Sequence, residues 1–291
     1  MKILVVDDSP IDRRLASGLL TRAGFTALLA ENGQEALTSL EKDRTDLVVT
    51  DLQMPEMDGL ALVEAIRSRY ADIPVILMTA HGSENIAVRA LQAGAASYVP
   101  KTDLARSLAD TVRSILSVRD YDQSLPSSRG TATARWELGN ELAEVTPVVG
   151  LLEARLARMS MVDETSRIQV SVALREAIVN AMLHGNLGLA SSLKESDPVA
   201  HDKLADERRG ESPYRERRVR VTVAETPLDV TYIVSDDGPG FDLETVPDPT
   251  DPANLERTAG RGLFLIRTFM DDVSHSDGGR TIKMVKRRPT G

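Results

Sequence analysis

The chain has no cysteine among its 291 residues, which excludes a small secreted framework held by disulfides. Aromatic residues make up only 3%, too few to line a groove with the stacking platforms that single-stranded nucleic acid requires. No uninterrupted apolar run approaches the roughly 18 to 20 residues that cross a bilayer. The opening Met1-Lys2-Ile3-Leu4-Val5-Val6-Asp7-Asp8 is too short and too acidic for a signal peptide, so the expected address is cytoplasmic, with no membrane partner. Positive charge is in deficit, with 35 Lys and Arg against 44 Asp and Glu and a net charge of −9. That balance argues against a non-specific grip on phosphate backbones, and no direct nucleic-acid partner is expected.

What is present is ordinary for a globular chain: 42% hydrophobic and 27% charged residues. The length is roughly twice a ~150-residue domain, which predicts two domains with separate cores. Residues 1–119 alternate apolar strands with helical patterns, the grammar of a parallel sheet covered on both faces. Lys2 to Val6, Asp46 to Thr50 and Pro74 to Met78 read as buried strands, with weaker ones at Phe25 to Ala30 and Ala96 to Val99. Ser9 and Pro10 start a first helix as cap and first-turn residue, and further helices fit Gln34 to Lys42, Gly59 to Arg69, Ser83 to Ala93 and Leu104 to Val118. The expected fold is a five-stranded, flavodoxin-like α/β domain.

Residues 120–131, with Pro126, Gly130 and three serines, read as a linker. Residues 132–288 then follow a different pattern: a strand at Ala132 to Leu138, helices near Ala143 to Met159 and Asp163 to His184, a hairpin of Arg218 to Glu225 with Asp229 to Ser235, a helix and one last strand. This predicts an α+β sandwich. The polar segment Lys194 to Arg217 is expected to be an irregular excursion of no assigned role.

In an open parallel sheet, ligands sit outside the carboxyl ends of the strands. Asp7 and Asp8 follow the first strand and Asp51 the third. Three neighbouring carboxylates repel one another unless a cation neutralises them, and a hard ion with oxygen ligands such as Mg²⁺ does so. Thr79 and Lys101, at the next two strand ends, offer a hydroxyl and an ammonium to the oxygens of a phosphoryl group. Any one aspartate alone reads as a cap or turn residue; five matching positions do not.

The stretches Val6-Asp7-Asp8-Ser9, Asp51-Leu52-Gln53-Met54-Pro55-Glu56-Met57-Asp58-Gly59, Met78-Thr79-Ala80 and Tyr98-Val99-Pro100-Lys101 resemble the receiver domain of two-component response regulators. The resemblance implies that Asp51 is the phosphoacceptor, that Asp7 and Asp8 hold Mg²⁺ together with Asp51 and the Gln53 backbone carbonyl, and that Lys101 meets the acyl phosphate. Thr79 and Tyr98 would form a switch pair. An upstream histidine kinase or phosphotransfer protein is the implied partner.

Three fragments of the second half could meet a nucleotide. In Arg175-Glu176-Ala177-Ile178-Val179-Asn180-Ala181-Met182-Leu183-His184-Gly185-Asn186, Glu176 and Asn180 are four apart and share a helical face beside the stripe Val170, Leu174, Ala177 and Ala181. A carboxylate and an amide at a core edge need polar partners, which a metal-bound triphosphate would supply. In Val234-Ser235-Asp236-Asp237-Gly238-Pro239-Gly240-Phe241 a strand runs into a turn where glycines allow close approach, and Asp236 could accept from an exocyclic amine. Ala259-Gly260-Arg261-Gly262-Leu263-Phe264-Leu265-Ile266 opens a helix whose free N–H groups favour phosphate.

In order, these resemble the N, G1 and G2 boxes of the GHKL ATP-binding fold, and among its members the anti-sigma-factor serine/threonine kinases. The likeness implies Mg²⁺ on Asn180, adenine on Asp236 with Gly238 and Gly240 shaping its pocket, phosphates on Gly260, Arg261, Gly262 and Leu263, and Glu176 as general base. Residues 242–258 would be a lid over the nucleotide. A histidine autokinase shares this ATP fold but needs a phosphorylatable histidine ahead of it. The only histidines are His81, His184, His201 and His275, so that reading is rejected.

The expectation is a response regulator whose Asp51 phosphorylation controls an ATP-dependent serine/threonine kinase acting on a partner resembling an anti-sigma-factor antagonist. The alternative is an ATP-binding, partner-switching module that sequesters a regulator without phosphoryl transfer. Pairing is left open, and a homodimer is favoured.

Overall fold

In the computed structural model, which describes residues 1–80, 84–119, 132–240 and 261–289, the first apolar segments pair as a five-stranded parallel sheet. Its strands are β1 (Lys2–Val6), β2 (Thr26–Ala30), β3 (Leu47–Asp51), β4 (Val75–Thr79) and β5 (Ser97–Pro100), in the order β2-β1-β3-β4-β5. Helices α1 (Pro10–Arg22), α2 (Gly33–Lys42), α3 (Gly59–Arg69), α4 (Glu84–Ala93) and α5 (Leu104–Arg119) connect and follow them. Ile3 to Val6, Leu47 to Val49 and Val75 to Met78 are all buried, which is why these strands are apolar runs rather than alternating patterns. Three helix starts are capped by side chains: Ser9 accepts the Asp12 N–H, Asn32 that of Glu35, and Asp58 that of Ala61.

The strand order reverses on either side of β1, so its carboxyl end and that of β3 open the crevice expected of such a sheet. The carboxyl ends of β3 and β4 each fall one residue later than the sequence expectation. Asp51 pairs with Met78 and Thr79 with Pro100, so both side chains stand on the last ladder residue of their strands rather than on the loops beyond. They inherit the rigidity of the sheet.

The second unit holds a five-stranded sheet, antiparallel throughout, in the order β6-β7-β8-β10-β9. Its elements are β6 (Ala132–Leu138), α6 (Val145–Met159), α7 (Glu164–Asn180), α8 (Ser191–Ser196), α9 (Pro198–Gly210), β7 (Val219–Glu225), β8 (Asp229–Asp236), α10 (Arg261–Phe269), β9 (Asp272–Ser276) and β10 (Thr281–Arg287). Val219, Val221 and Val223 on β7 and Val230, Tyr232 and Val234 on β8 are buried at alternate positions, so one face of the sheet is apolar. Helices α6, α7 and α10 carry the matching buried residues, among them Leu152, Leu174, Ile178 and Phe264. This is the α+β sandwich that a run of helices followed by antiparallel strands predicts.

Two expectations are corrected. The segment Lys194 to Arg217 is not irregular: it contains all of α9, started by Asp197, whose carboxylate accepts the Ala200 N–H at 3.0 Å, and by Pro198 in the first turn. Only His201 and Ala205 of α9 are buried, so the helix has no apolar stripe by which to be recognised. Two strands rather than one follow α10, because β9 forms an edge hairpin with β10 and its residues Asp272 to Ser276 are mostly polar. The proposed linker 120–131, the lid 242–258 and Gly260 lie outside the described residues, as does His81. No helix among the described residues is long and apolar enough to cross a membrane.

Candidate functional site

The first site grows from the carboxyl ends of β1, β3, β4 and the turn after β5. Asp7, Asp8 and Asp51 bring carboxylate oxygens within 4.8 Å of one another; Asp7 and Asp51 are buried and Asp8 is exposed. Lys101 inserts its ammonium among them, 2.9 Å from Asp7 Oδ2 and 3.1 Å from Asp51 Oδ2. Asp7 Oδ1 accepts the Ser9 N–H at 2.8 Å and Asp51 Oδ1 accepts the Leu52 N–H at 2.7 Å, so each carboxylate keeps its second oxygen toward the cluster. A Cβ on Gly59 would overlap the Asp51 carbonyl, so the first turn of α3 approaches the site as only glycine allows.

Burial and the neighbouring Asp7 charge push the Asp51 carboxyl above its ordinary value, against the pull of Lys101. Burial pulls Lys101 down, but hydrogen bonds and charge from Asp7, Asp51 and Asp12 outweigh it and leave the ammonium held firmly in its charged form. Three carboxylates against one ammonium leave an excess of negative charge on hard oxygen donors. The donor set therefore fits a divalent cation such as Mg²⁺. Thr79 is buried at the neighbouring strand end, Tyr98 is buried within β5, and Gln53 is exposed on the loop two residues past Asp51.

Two residues of this site escape sequence reading. Asp12, in the first turn of α1, places Oδ2 3.1 Å from the Lys101 ammonium as a third anionic partner. Arg13 donates to the Asp7 carbonyl at 2.5 Å and to Glu31 Oε1 at 2.7 Å, tying the loop after β1 to the loop after β2. An acid in a first helical turn and a basic residue beside it are unremarkable in sequence, since helix dipoles favour the first anyway.

The second site gathers on α7 and its continuation. Glu176 and Asn180 project from the last turns of α7, and Gly262 of α10 lies directly over them: a Cβ there would stand 2.6 Å from Glu176 Oε2 and 3.3 Å from Asn180 Nδ2. Fragments 82 residues apart in sequence, by the difference between positions 180 and 262, thus share one spot. Arg261 and Leu263 flank it, both half-buried, at the start of α10.

Past Asn180 the helix widens into a π turn, Ala181–Asn186, with the Leu187 N–H reaching back to the Met182 carbonyl. Such turns are uncommon and cluster at functional positions. This one presents Gly185 to the end of β8. A Cβ on Gly185 would meet both carboxylate oxygens of Asp236 at 2.6 Å, and one on Gly238 would overlap the Gly185 carbonyl. The Asp236 carboxylate also accepts the Gly238 N–H at 2.8 Å. Burial raises the Asp236 carboxyl above its ordinary value, with Asp237 adding to the rise and the Gly238 N–H, Arg280 and Arg217 opposing it. Gly240 is left-handed at φ +80°, packed where a Cβ would overlap the Gly278 carbonyl. His184 Nδ1 meets the Leu189 carbonyl at 2.7 Å, a local contact at the helix end.

The structure thus brings Asp7, Asp8, Asp51 and Lys101 together, with Thr79 alongside. It brings Glu176, Asn180 and Gly262 together at one point and Asp236 and Gly238 together at another, the two linked by the end of a single helix. At about 1.5 Å per residue, Asn180 and Gly185 are only about 7 Å apart along that helix.

Comparison with known proteins divides the chain in the same way. Residues 3–113 match the family described as response regulator receiver domain, and residues 138–286 match the family described as histidine kinase-like ATPase domain. The chain is 39% identical over 124 residues to the chemotaxis protein CheY1 of Helicobacter pylori, covering 41% of this chain and 100% of that protein. It is 32% identical over 173 residues to the DNA-binding transcriptional regulator NtrC of Proteus hauseri, covering 59% of this chain and 34% of NtrC. The chain therefore spans about a third of the length of that relative. Among solved structures, a response regulator receiver domain protein from Clostridium thermocellum matches at 29% identity and a TM-score of 0.39, over 41% of this chain and 96% of the other.

Proposed function

Because the chain belongs to the response regulator receiver family by its first part and to the histidine kinase-like ATPase family by its second, we propose that it is a two-component response regulator with its own ATP-dependent serine/threonine protein kinase. The observation that carries the kinase reading is the seat of Gly262 on Glu176 and Asn180. A glycine that leaves backbone exposed over a carboxylate and an amide suits a phosphate chain better than a packed core would.

In the first domain, an Asp51 oxygen attacks the phosphorus of a phosphohistidine on the upstream partner; the P–N bond breaks and an acyl phosphate forms. Mg²⁺ at Asp7, Asp8, Asp51 and the Gln53 carbonyl would neutralise charge on the transferred group. Lys101, already 3.1 Å from Asp51, follows the same oxygens, and Thr79 and Tyr98 respond as the switch pair. In the second domain Asp236 would accept from the adenine amine, Gly238 and Gly240 would shape that pocket, and Asn180 would hold the Mg²⁺ that accompanies the nucleotide. The stretch Gly260, Arg261, Gly262 and Leu263 wraps the phosphates. A hydroxyl oxygen on the partner attacks the γ-phosphorus, its proton passes to Glu176, and ADP leaves.

The proposed domain limits are 1–119 and 132–288, joined by 120–131. The proposed target is a protein resembling an anti-sigma-factor antagonist. The test is to incubate the full chain and its Glu176→Gln variant with Mg-ATP and purified antagonist proteins and to map phosphosites by mass spectrometry. Phosphoserine or phosphothreonine on an antagonist, reduced at least ~100-fold by Glu176→Gln, is the expected result for a general base. ATP binding with no phosphate on any partner would instead favour a partner-sequestering switch.

A further inference from the structure

Two buried amides behind Asp236 have no part in the reading above. Asn186 is fully buried and Asn140, just past β6, nearly so. Burying a primary amide is unfavourable unless its donors and acceptor are matched. Here they form a chain with one direction. The Asp237 N–H donates to Asn186 Oδ1 at 2.8 Å, Asn186 Nδ2 donates to Asn140 Oδ1 at 2.8 Å, and Asn140 Nδ2 donates to the Tyr214 carbonyl at 2.8 Å and the Arg217 carbonyl at 3.4 Å. The chain starts at an N–H, which can only donate, and ends at carbonyls, which can only accept, so neither amide can turn over.

The first link is the peptide that follows Asp236, whose own N–H donates to the Arg280 carbonyl at 3.0 Å. Its backbone is therefore tethered on both sides, while its carboxylate rests against Gly185, the residue before Asn186. The far end of the chain belongs to the polar excursion. Arg217 Nη1 donates to the Asn186 carbonyl at 2.5 Å, Arg208 Nη1 to the Leu187 and Gly188 carbonyls at 2.6 and 3.0 Å, and Arg209 Nε to the Asn140 carbonyl at 3.0 Å. The Arg208 and Arg217 guanidinium carbons each lie 4.9 Å from the Tyr214 ring centroid, which fixes both arginines. Carbonyls at a helix end lack partners within the helix and carry partial negative charge, so cationic donors are the side chains suited to them. The excursion is thus anchored by its arginines as well as by Leu204, Ala205 and Tyr214, which pack on Leu183, Leu187 and Leu189.

We propose that the Asn140–Asn186 pair, braced by Arg208, Arg209 and Arg217, is a positioning device that sets Asp236 for a purine bearing a 6-amino group. The inference rests on the ATP reading of this site and adds to it the residues that govern base selection. None of these residues touches the nucleotide in this account; they act through Asp236.

Asn186→Asp preserves size but removes one donor and places a carboxylate oxygen against Asn140 Oδ1. If Asn140 turned over to relieve this, its own oxygen would face the Tyr214 and Arg217 carbonyls. The experiment measures dissociation constants of the full chain for Mg-ATP and for the Mg complex of purine riboside triphosphate, which lacks the 6-amino group. Wild type should prefer ATP about tenfold or more, the worth of a hydrogen bond to a charged acceptor. In Asn186→Asp that ratio should fall toward one through weaker ATP binding, with the affinity for purine riboside triphosphate unchanged. Arg217→Lys, which keeps the charge but not the fixed donor, should lower the ratio in the same direction and serves if Asn186→Asp does not fold. An unchanged ratio in a folded variant, or parallel weakening for both nucleotides, overturns the proposal. A wild type that binds neither nucleotide contradicts the ATP reading itself, and one that binds both equally removes the amine contact on which the positioning role depends.

Discussion

At the scale of single residues, both sites are built from groups that would be unstable neighbours without a ligand or counter-charge. Lys101 is shared by Asp7, Asp12 and Asp51, so the Asp51 carboxylate already has a cationic partner. With Mg²⁺ and a small phosphodonor such as acetyl phosphate, intact-mass analysis should show one phosphate on wild type and none on Asp51→Asn. Chelating the metal should abolish the label on wild type too, whereas labelling that survives chelation would contradict the carboxylate cluster as a metal site. Gly262→Ala should weaken nucleotide binding, because the new methyl must displace Glu176 Oε2 or Asn180 Nδ2, and crowding of this kind costs about 1–3 kcal/mol. Calorimetric titration with Mg-ATP checks it. Asp7, Asp8, Asp51 and Lys101 were legible in sequence because each follows a buried apolar run that ends in a parallel sheet. Asp12 was not, since an acid in a first helical turn looks the same whether it serves a cap or a lysine 89 positions away.

At the scale of elements, legibility followed burial. Strands β1, β3, β4 and β5 were read to within a residue, because a strand covered on both faces has no choice but to be apolar. The hairpin of β7 and β8 was read from its three-residue connection Thr226-Pro227-Leu228. Helix α9 and strand β9 were missed for the opposite reason: α9 buries only His201 and Ala205, and β9 is an edge strand of mostly polar residues. What holds α9 is its cap, its arginines and the packing of Leu204 and Ala205 against Leu183, Leu187 and Leu189. Asp197→Ala should therefore lower the stability of the second unit by about 1 kcal/mol, read as a lower urea midpoint with an unchanged slope. The part-buried Arg155–Glu225 pair, at 2.6 Å between α6 and β7, is a second fixed point. Glu225→Gln should cost about 1–3 kcal/mol, because it removes the counter-charge of a part-buried guanidinium while keeping an amide oxygen to accept from it.

At the scale of the whole molecule, a response regulator receiver is fused to a histidine kinase-like ATPase domain. The composition that first excluded disulfides, membrane spans and a grip on nucleic acid left two acidic domains without a purpose. Motifs then separated their chemistry, while the amide chain behind Asp236 was invisible until Asn140, Asn186 and Asp237 met in space. If the receiver controls the kinase, acetyl phosphate should change the rate of partner phosphorylation about fivefold or more in wild type and leave Asp51→Asn unaffected. The central claim, that the second domain transfers phosphate from ATP to a partner hydroxyl through Glu176, is tested most directly by following γ-labelled Mg-ATP with a purified anti-sigma-factor antagonist. The account predicts acid-stable phosphoserine or phosphothreonine on the antagonist with wild type and almost none with Glu176→Gln, at equal ATP affinity. Undiminished transfer by Glu176→Gln, or label confined to a histidine of the chain itself, would contradict it.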